Sequence, residues 1–304
     1  MAQKSDTVRH LMEAFRWISA SSLFFTGMAI CVKQLVALGM PEGEVVFFRL
    51  FLNFLVVAAW MAWRGHSFRF EGSRGLLFFR GVCGFLAVSA LFLSVSRLPL
   101  PVASLLYWSS PLFVVLFSQV IFKEASPRAL LPFLGLAFVG LTLLLNVRKE
   151  QLLGSYPLSS VLIGLGGSMA GALAYLAVRR ATARVSPHGI VLAFTGVGSV
   201  LSLPWLFSVY ETPRPEQMAW LLGLGSSAVL GQYLMTRGYG VAPASVVSSL
   251  NLLNAAFSAL SGWIFFGESL AWAQWLGMGL MVAGIVAVAL QAASGPAHRL
   301  GRLA

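Results

Sequence analysis

Charge is what this sequence has least of: acidic and basic residues together make up 10% of its 304 residues. A soluble chain carries roughly 25%, so an ordinary water-exposed domain is excluded. The rest is dominated by apolar residues, 58% of the chain, gathered into long stretches that are apolar nearly all round. Each approaches the roughly 20 residues needed to cross a hydrocarbon core about 30 Å thick. The alternating pattern of an outer-membrane barrel is missing, and an open sheet would leave its backbone unsatisfied in lipid. Cysteine is almost absent. Cys31 and Cys83 fall inside apolar stretches, which leaves no disulfide framework or metal site and reads them as small apolar residues.

Chemistry is also lacking. His10, His66, His188 and His298 sit in terminal segments or near loops and form no ligand cluster. No Gly-x-x-x-x-Gly-Lys-Ser/Thr loop occurs, so ATP has no ordinary site. Gly238-Tyr239-Gly240 is too short for a phosphate motif and reads as a flexible turn. No nucleophile, base and metal set converges as an enzyme requires. The expectation is therefore no enzyme, no cofactor, no bound metal and no ATPase partner.

What is present is a set of ten expected spans: 17–37, 43–62, 75–96, 101–122, 129–146, 158–178, 187–208, 217–236, 243–266 and 271–291. Prolines 41, 99, 127, 157, 187, 213, 215 and 243 mark their breaks, where a missing amide hydrogen costs least. Pro111 and Pro204 fall inside spans and predict kinks there. The polar start carries Asp6 and Glu13, with no Ala-x-Ala-like cleavage site after the first apolar run, so that run reads as a retained span. The net charge of +11 follows topology rather than a nucleic-acid partner. With the start inside, inner segments hold Lys4, Arg9, Arg16, Arg64, Arg69, Arg74, Lys123, Arg128, Arg179, Arg180, Arg184, Arg237, Arg299 and Arg302, while outer ones keep only Arg97, Arg148, Lys149 and Arg214. The positive-inside rule then puts both termini in the cytoplasm.

The chain also repeats itself. Pro101, Ala103-Ser104, Phe122-Lys123-Glu124, Gly135 and Gly140 recur as Pro243, Ala244-Ser245, Phe266-Gly267-Glu268, Gly279 and Gly284. Five spans separate the copies, an odd number, so the two units are inverted across the membrane. The predicted fold is an all-α membrane protein of ten helices in two inverted five-helix repeats, 1–150 and 151–304. Glu124, Glu268 and the four glycines are assigned to gating or repeat structure. Gly164, Gly167 and Gly171 suit close helix packing.

Polar groups inside spans are the candidates for a site. Tyr107, Trp108 and Ser110 occupy the middle of span four; Ser248, Asn251 and Asn254 share a face of span nine; Gln232 and Tyr233 lie in span eight. Together they suit a cavity with aromatic walls and neutral hydrogen-bonding groups. The alternative for the serines and asparagines is interhelical hydrogen bonding. Lys33 and Arg49 lie near the outer ends of spans one and two and face a vestibule, pair with Glu42 or Glu44, or snorkel. Arg80, near the inner end of span three, reads as a headgroup anchor. Trp263, Trp272 and Trp275 suit interfacial anchoring.

Across essentially its whole length the sequence resembles the EamA branch of the drug/metabolite transporter superfamily. The paired segments Pro101–Gly140 and Pro243–Gly284 carry the resemblance, with Glu44-Val45-Val46-Phe47-Phe48-Arg49 and Arg80-Gly81. It implies an inner-membrane carrier with a central cavity lined by spans three, four, eight and nine, joined by one and six. The expected function is secondary transport of small amphipathic metabolites, amino acids including aromatic ones first, in the export direction. Uptake or exchange of a nucleoside-containing metabolite such as S-adenosylmethionine is the alternative, and a non-transporting scaffold is the answer of another class. The expected partners are a small solute and the bilayer, with the chain acting as a monomer.

Overall fold

The computed structural model describes residues 2–66, 73–122, 127–152 and 156–294. Its helices are α1 (Ala2–Ala37), α2 (Glu42–Trp63), α3 (Arg74–Val95), α4 (Leu100–Trp108), α5 (Ser110–Phe122), α6 (Leu131–Leu144), α7 (Lys149–Leu152), α8 (Leu158–Ala181), α9 (Pro187–Val209), α10 (Pro215–Val241), α11 (Ala244–Leu250), α12 (Leu253–Phe266) and α13 (Trp272–Ser294). Among the described residues, nine helical segments are long and apolar enough to cross a membrane, and the shorter apolar α6 makes the tenth span. Two spans are broken: α4 with α5 forms the fourth, and α11 with α12 the ninth.

Local chemistry sets the helix boundaries. Pro41, Pro99, Pro157 and Pro243 stand immediately before helices, and Pro187 and Pro215 open them, positions where the absent N–H would have had no helical partner. Gly267, at φ 66°, closes α12 in the left-handed conformation that glycine adopts without a Cβ clash. The first helix starts well before residue 17, running unbroken from Ala2. Gly238-Tyr239-Gly240 is the last turn of α10, not a loop: Tyr239 is fully buried there, and Gly238 packs on Ile18 of α1.

The packing follows the repeat. Helix α1 lies along α10 as α3 lies along α8, while α2 packs on α9 and α6 on α13. Exchanging the two repeats turns each pairing into itself or another, which is a pseudo-two-fold relation. Helix starts correct one detail of the sequence alignment. Pro99 (φ −53°, ψ 136°) and Pro243 (φ −55°, ψ 142°) are equivalent caps, so Pro99, not Pro101, is the partner of Pro243. The offset is then constant at 144 residues from Pro99–Pro243 through Phe122–Phe266 to Gly140–Gly284.

Large apolar side chains such as Leu55, Phe78, Leu86, Phe207, Leu222, Ile264 and Leu290 point outward. In a bilayer they meet acyl chains, so their exposure is not penalised, and it equally supplies no force between helices. Close backbone packing supplies it instead. A Cβ added to Gly284 would lie 2.5 Å from the Ala137 backbone nitrogen, and one on Gly140 would lie 2.5 Å from the Gly277 carbonyl oxygen. The backbones of α6 and α13 therefore touch. Gly135 and Gly279, by contrast, face open space. Both cysteines are buried and free.

Candidate functional site

The two broken spans meet at the centre of the molecule. Pro111 cannot donate to the Tyr107 carbonyl, and α4 ends one turn earlier, at Trp108, with Ser109 as its cap. The loosened backbone is re-satisfied by hydroxyls, as a span in lipid requires. Ser109 Oγ donates to the Leu106 carbonyl at 2.6 Å and lies 2.9 Å from Ser168 Oγ on α8, and Ser168 also donates to Leu106.

The ninth span breaks without any proline. Asn251 caps α11, and the Asn254 Nδ2 group donates back to the Asn251 carbonyl at 2.8 Å. Asparagine side chains compete with backbone bonding in this way. Asn251 Nδ2 in turn donates to the Tyr239 hydroxyl at 3.1 Å, and the Tyr239 ring stacks on Tyr175 at 5.2 Å.

Between these breaks lies a cavity of about 240 Å³. Of the predicted site residues, it brings together Tyr107, Trp108, Ser110, Gln232, Asn251 and Asn254. Tyr107 and Trp108 meet edge to face at 5.2 Å. Spans one to four and six to nine all contribute lining, through residues such as Phe25, Leu91, Ser168, Tyr175, Phe194 and Met235. The asparagine Oδ1 atoms at 251 and 254 have no hydrogen-bond partner in the protein, so each offers a buried acceptor.

Two arginines also line the cavity, Arg49 from α2 and Arg80 from α3. Arg80 is 3% exposed, and its Nε and Nη1 atoms have no hydrogen-bond partner. Its guanidinium lies 4.2 Å from the Phe194 ring centroid. This overturns the headgroup-anchor expectation: burial among α3, α8 and α9 keeps the side chain from reaching the membrane surface. Among the described residues neither arginine is in an ion pair. Glu44, one partner expected for Arg49, is itself buried and accepts from the Glu211 backbone. Among the described residues no acidic side chain lines the cavity, and its charged lining is positive.

The remaining predicted residues lie elsewhere. Tyr233 stacks on His188 at 4.5 Å and its hydroxyl accepts from Arg237 at 3.3 Å, in an aromatic cluster with Trp60 and His66. Ser248 is buried and donates to the Ser245 carbonyl at 3.1 Å. Lys33 pairs with Glu268 at 2.7 Å rather than with Glu42 or Glu44, and lies 3.8 Å from the Phe266 ring centroid. Glu124 lies outside the described residues. Gly140 and Gly284 hold α6 to α13, whereas a Cβ added at Gly135 or Gly279 would meet open space. Gly167 and Gly171 join the cavity wall.

Sequence reasoning missed Tyr175 and Ser168 as lining residues. A signal existed, because Gly164, Ser168, Gly171 and Tyr175 follow a three-to-four spacing along one face of α8. Arg80 carried a signal too, as an ionisable residue a turn and a half inside a span.

Comparison with known proteins agrees with this architecture. The model of the EamA-like transporter family matches residues 14–146 and again 158–290, two stretches of equal length that start 144 residues apart. The chain is 31% identical over 249 residues to the pseudopaline exporter CntI of Pseudomonas aeruginosa, covering 82% of this chain and 86% of that protein. It is 24% identical over 289 residues to a riboflavin transporter of Vibrio cholerae, covering 91% and 92%. Identity to an S-adenosylmethionine uptake transporter of Rickettsia conorii is 21% over 266 residues, covering 87% and 88%. One crystal structure superposes with a TM-score of 0.74 at 19% identity, covering 90% of this chain and 97% of that one, which shows a shared fold.

Proposed function

The chain belongs to the EamA-like transporter family, and we propose that it is a secondary transporter that exports small amphipathic metabolites, with amino acids, aromatic ones included, as the leading class. The observation that carries this reading is the central cavity, which combines aromatic walls, neutral hydrogen-bonding groups and two arginines, with no acidic residue among the described lining. Aromatic and aliphatic walls suit an apolar side chain. Guanidiniums suit a carboxylate, which they bind through two parallel N–H bonds.

The charge of the cavity also supports the amino-acid class over the alternative. S-Adenosylmethionine carries a sulfonium and an ammonium against one carboxylate, so a net cation would meet two arginines without counter-charge. An amino acid brings a carboxylate and no net positive charge. Export is supported by the relative named as a pseudopaline exporter, the most similar of the three compared.

In this reading the chain works as a monomer in the cell inner membrane, with both termini cytoplasmic and the repeats divided near residue 150. Tyr107, Trp108, Ser110, Gln232, Asn251 and Asn254 hold the solute. Lys33 and Glu268 stand at the outer side as gating contacts. A non-transporting scaffold would need no such central cavity. Cysteines engineered at Trp108 and Asn251 test this: solute present in excess slows their alkylation in a carrier and leaves it unchanged in a scaffold.

A further inference from the structure

The cavity presents two guanidiniums, and their placement narrows the solute further. Arg49 lies seven residues inside α2 and Arg80 six inside α3, depths of roughly 10 Å and 9 Å at 1.5 Å per residue. Successive spans run in opposite directions, so the two arginines approach the cavity from opposite halves of the membrane. Both line one cavity with Tyr107 and Tyr175. Arginine does not deprotonate in proteins, and burying an unpaired charge is costly. A monocarboxylate can neutralise only one of the two.

We infer that the preferred solute carries two separated carboxylates, one for Arg49 and one for Arg80, joined by a short apolar or amphipathic body that packs against Tyr107, Trp108 and Tyr175. This rests on the transport reading above and names the substrate class within it. Asn251 and Asn254, with their free Oδ1 atoms, supply acceptors for an amine or hydroxyl on that body. The acidic amino acids and their N-substituted derivatives fit this description. A phosphate monoester has the charge but concentrates it at one end, where it would engage one arginine and leave the other bare.

The experiment compares near-isosteric pairs on purified protein: glutamate with glutamine, and N-benzoylglutamate with N-benzoylglutamine. Thermal stabilisation in detergent reports binding, and counterflow in liposomes reports transport. The dicarboxylate of each pair is expected to bind on the order of tenfold more tightly, the value of one charge-assisted hydrogen-bonded pair. Arg80→Gln should reduce that ratio to near one by removing the partner of the second carboxylate, whereas Arg49→Gln should weaken both members of each pair. Arg80→Lys, which keeps the charge, controls for loss of folding and should retain part of the preference.

Equal affinity within each pair overturns the inference, as does an equal loss of both members in Arg80→Gln. Preference for phosphoserine over glutamate overturns it in favour of a single anionic head. The transport reading fails separately. Discriminating stabilisation without counterflow by any probe sinks transport and keeps the two-carboxylate site. Counterflow of phenylalanine and glutamine with no advantage for glutamate keeps transport and sinks the site. Neither stabilisation nor counterflow by any probe sinks both.

Discussion

The Asn251 side-chain amide donates to the Tyr239 hydroxyl across 3.1 Å, tying the break in the ninth span to the last turn of α10. Tyr239 is fully buried and Asn251 is 3% exposed, so neither group has water to fall back on. Tyr239→Phe should therefore destabilise the protein by about 1–3 kcal/mol, the cost of a buried donor left unpaired. Thermal unfolding in detergent measures it. Asn251→Ala removes donor and acceptor together and should reduce flux far more than it reduces the amount of inserted protein. Wild-type flux in Asn251→Ala would remove this residue from the proposed site.

Trp108→Ala should lower flux by roughly tenfold or more, since it deletes one wall of the cavity and its edge-to-face contact with Tyr107, an aromatic contribution of about 1 kcal/mol beyond area burial. Aromatic solutes should suffer most. Initial rates for phenylalanine and alanine in the same liposomes would show the difference, and an equal loss for both would place Trp108 outside solute contact.

The glycines divide into two kinds. Gly284→Ala drives a methyl into the α6 backbone 2.5 Å away, and backbone cannot yield as a side chain can, so a loss of about 1–3 kcal/mol is expected. Gly279→Ala meets open space and should be neutral or stabilising by up to about 1 kcal/mol, the gain in helix propensity. Unfolding temperatures of the two variants would decide it. Equal behaviour would mean that α6 and α13 do not meet as described.

Lys33 and Glu268 are each about half exposed, and exposed ion pairs contribute roughly 0–1 kcal/mol. Lys33→Ala should leave thermal stability within about 1 kcal/mol of wild type. If the pair closes the outer side, the same variant should speed alkylation of a cysteine placed at Trp108 by a membrane-impermeant reagent. An unchanged alkylation rate would reduce the pair to a surface contact.

Ten spans and their inverted repeat were legible because hydropathy and the Glu-Gly-Gly pattern are properties of the chain alone. The break before Pro111 was legible as a kink, since a proline removes a specific hydrogen bond. The break at Asn251 was not: it depends on Asn254 turning back to a backbone carbonyl, and an asparagine in a helix face looks the same in sequence whether or not it does so. Arg80 looked like an anchor because its depth from the helix start fits snorkelling; only the packing of α8 and α9 around it closes that route. The pairing of Lys33 with Glu268 joins residues 235 apart, which local spacing cannot reveal. Tyr239, flanked by two glycines, was misread because composition favoured a turn, whereas Ile18 packing and the Asn251 bond hold it helical.

The most direct test of a carboxylate-binding central cavity is counterflow of labelled phenylalanine into liposomes loaded with unlabelled phenylalanine, comparing wild type with Arg49→Gln. Saturable exchange by wild type, strongly reduced in the variant at equal reconstituted protein, is the predicted result. Absence of exchange by folded wild-type protein, or full exchange by Arg49→Gln, would contradict it.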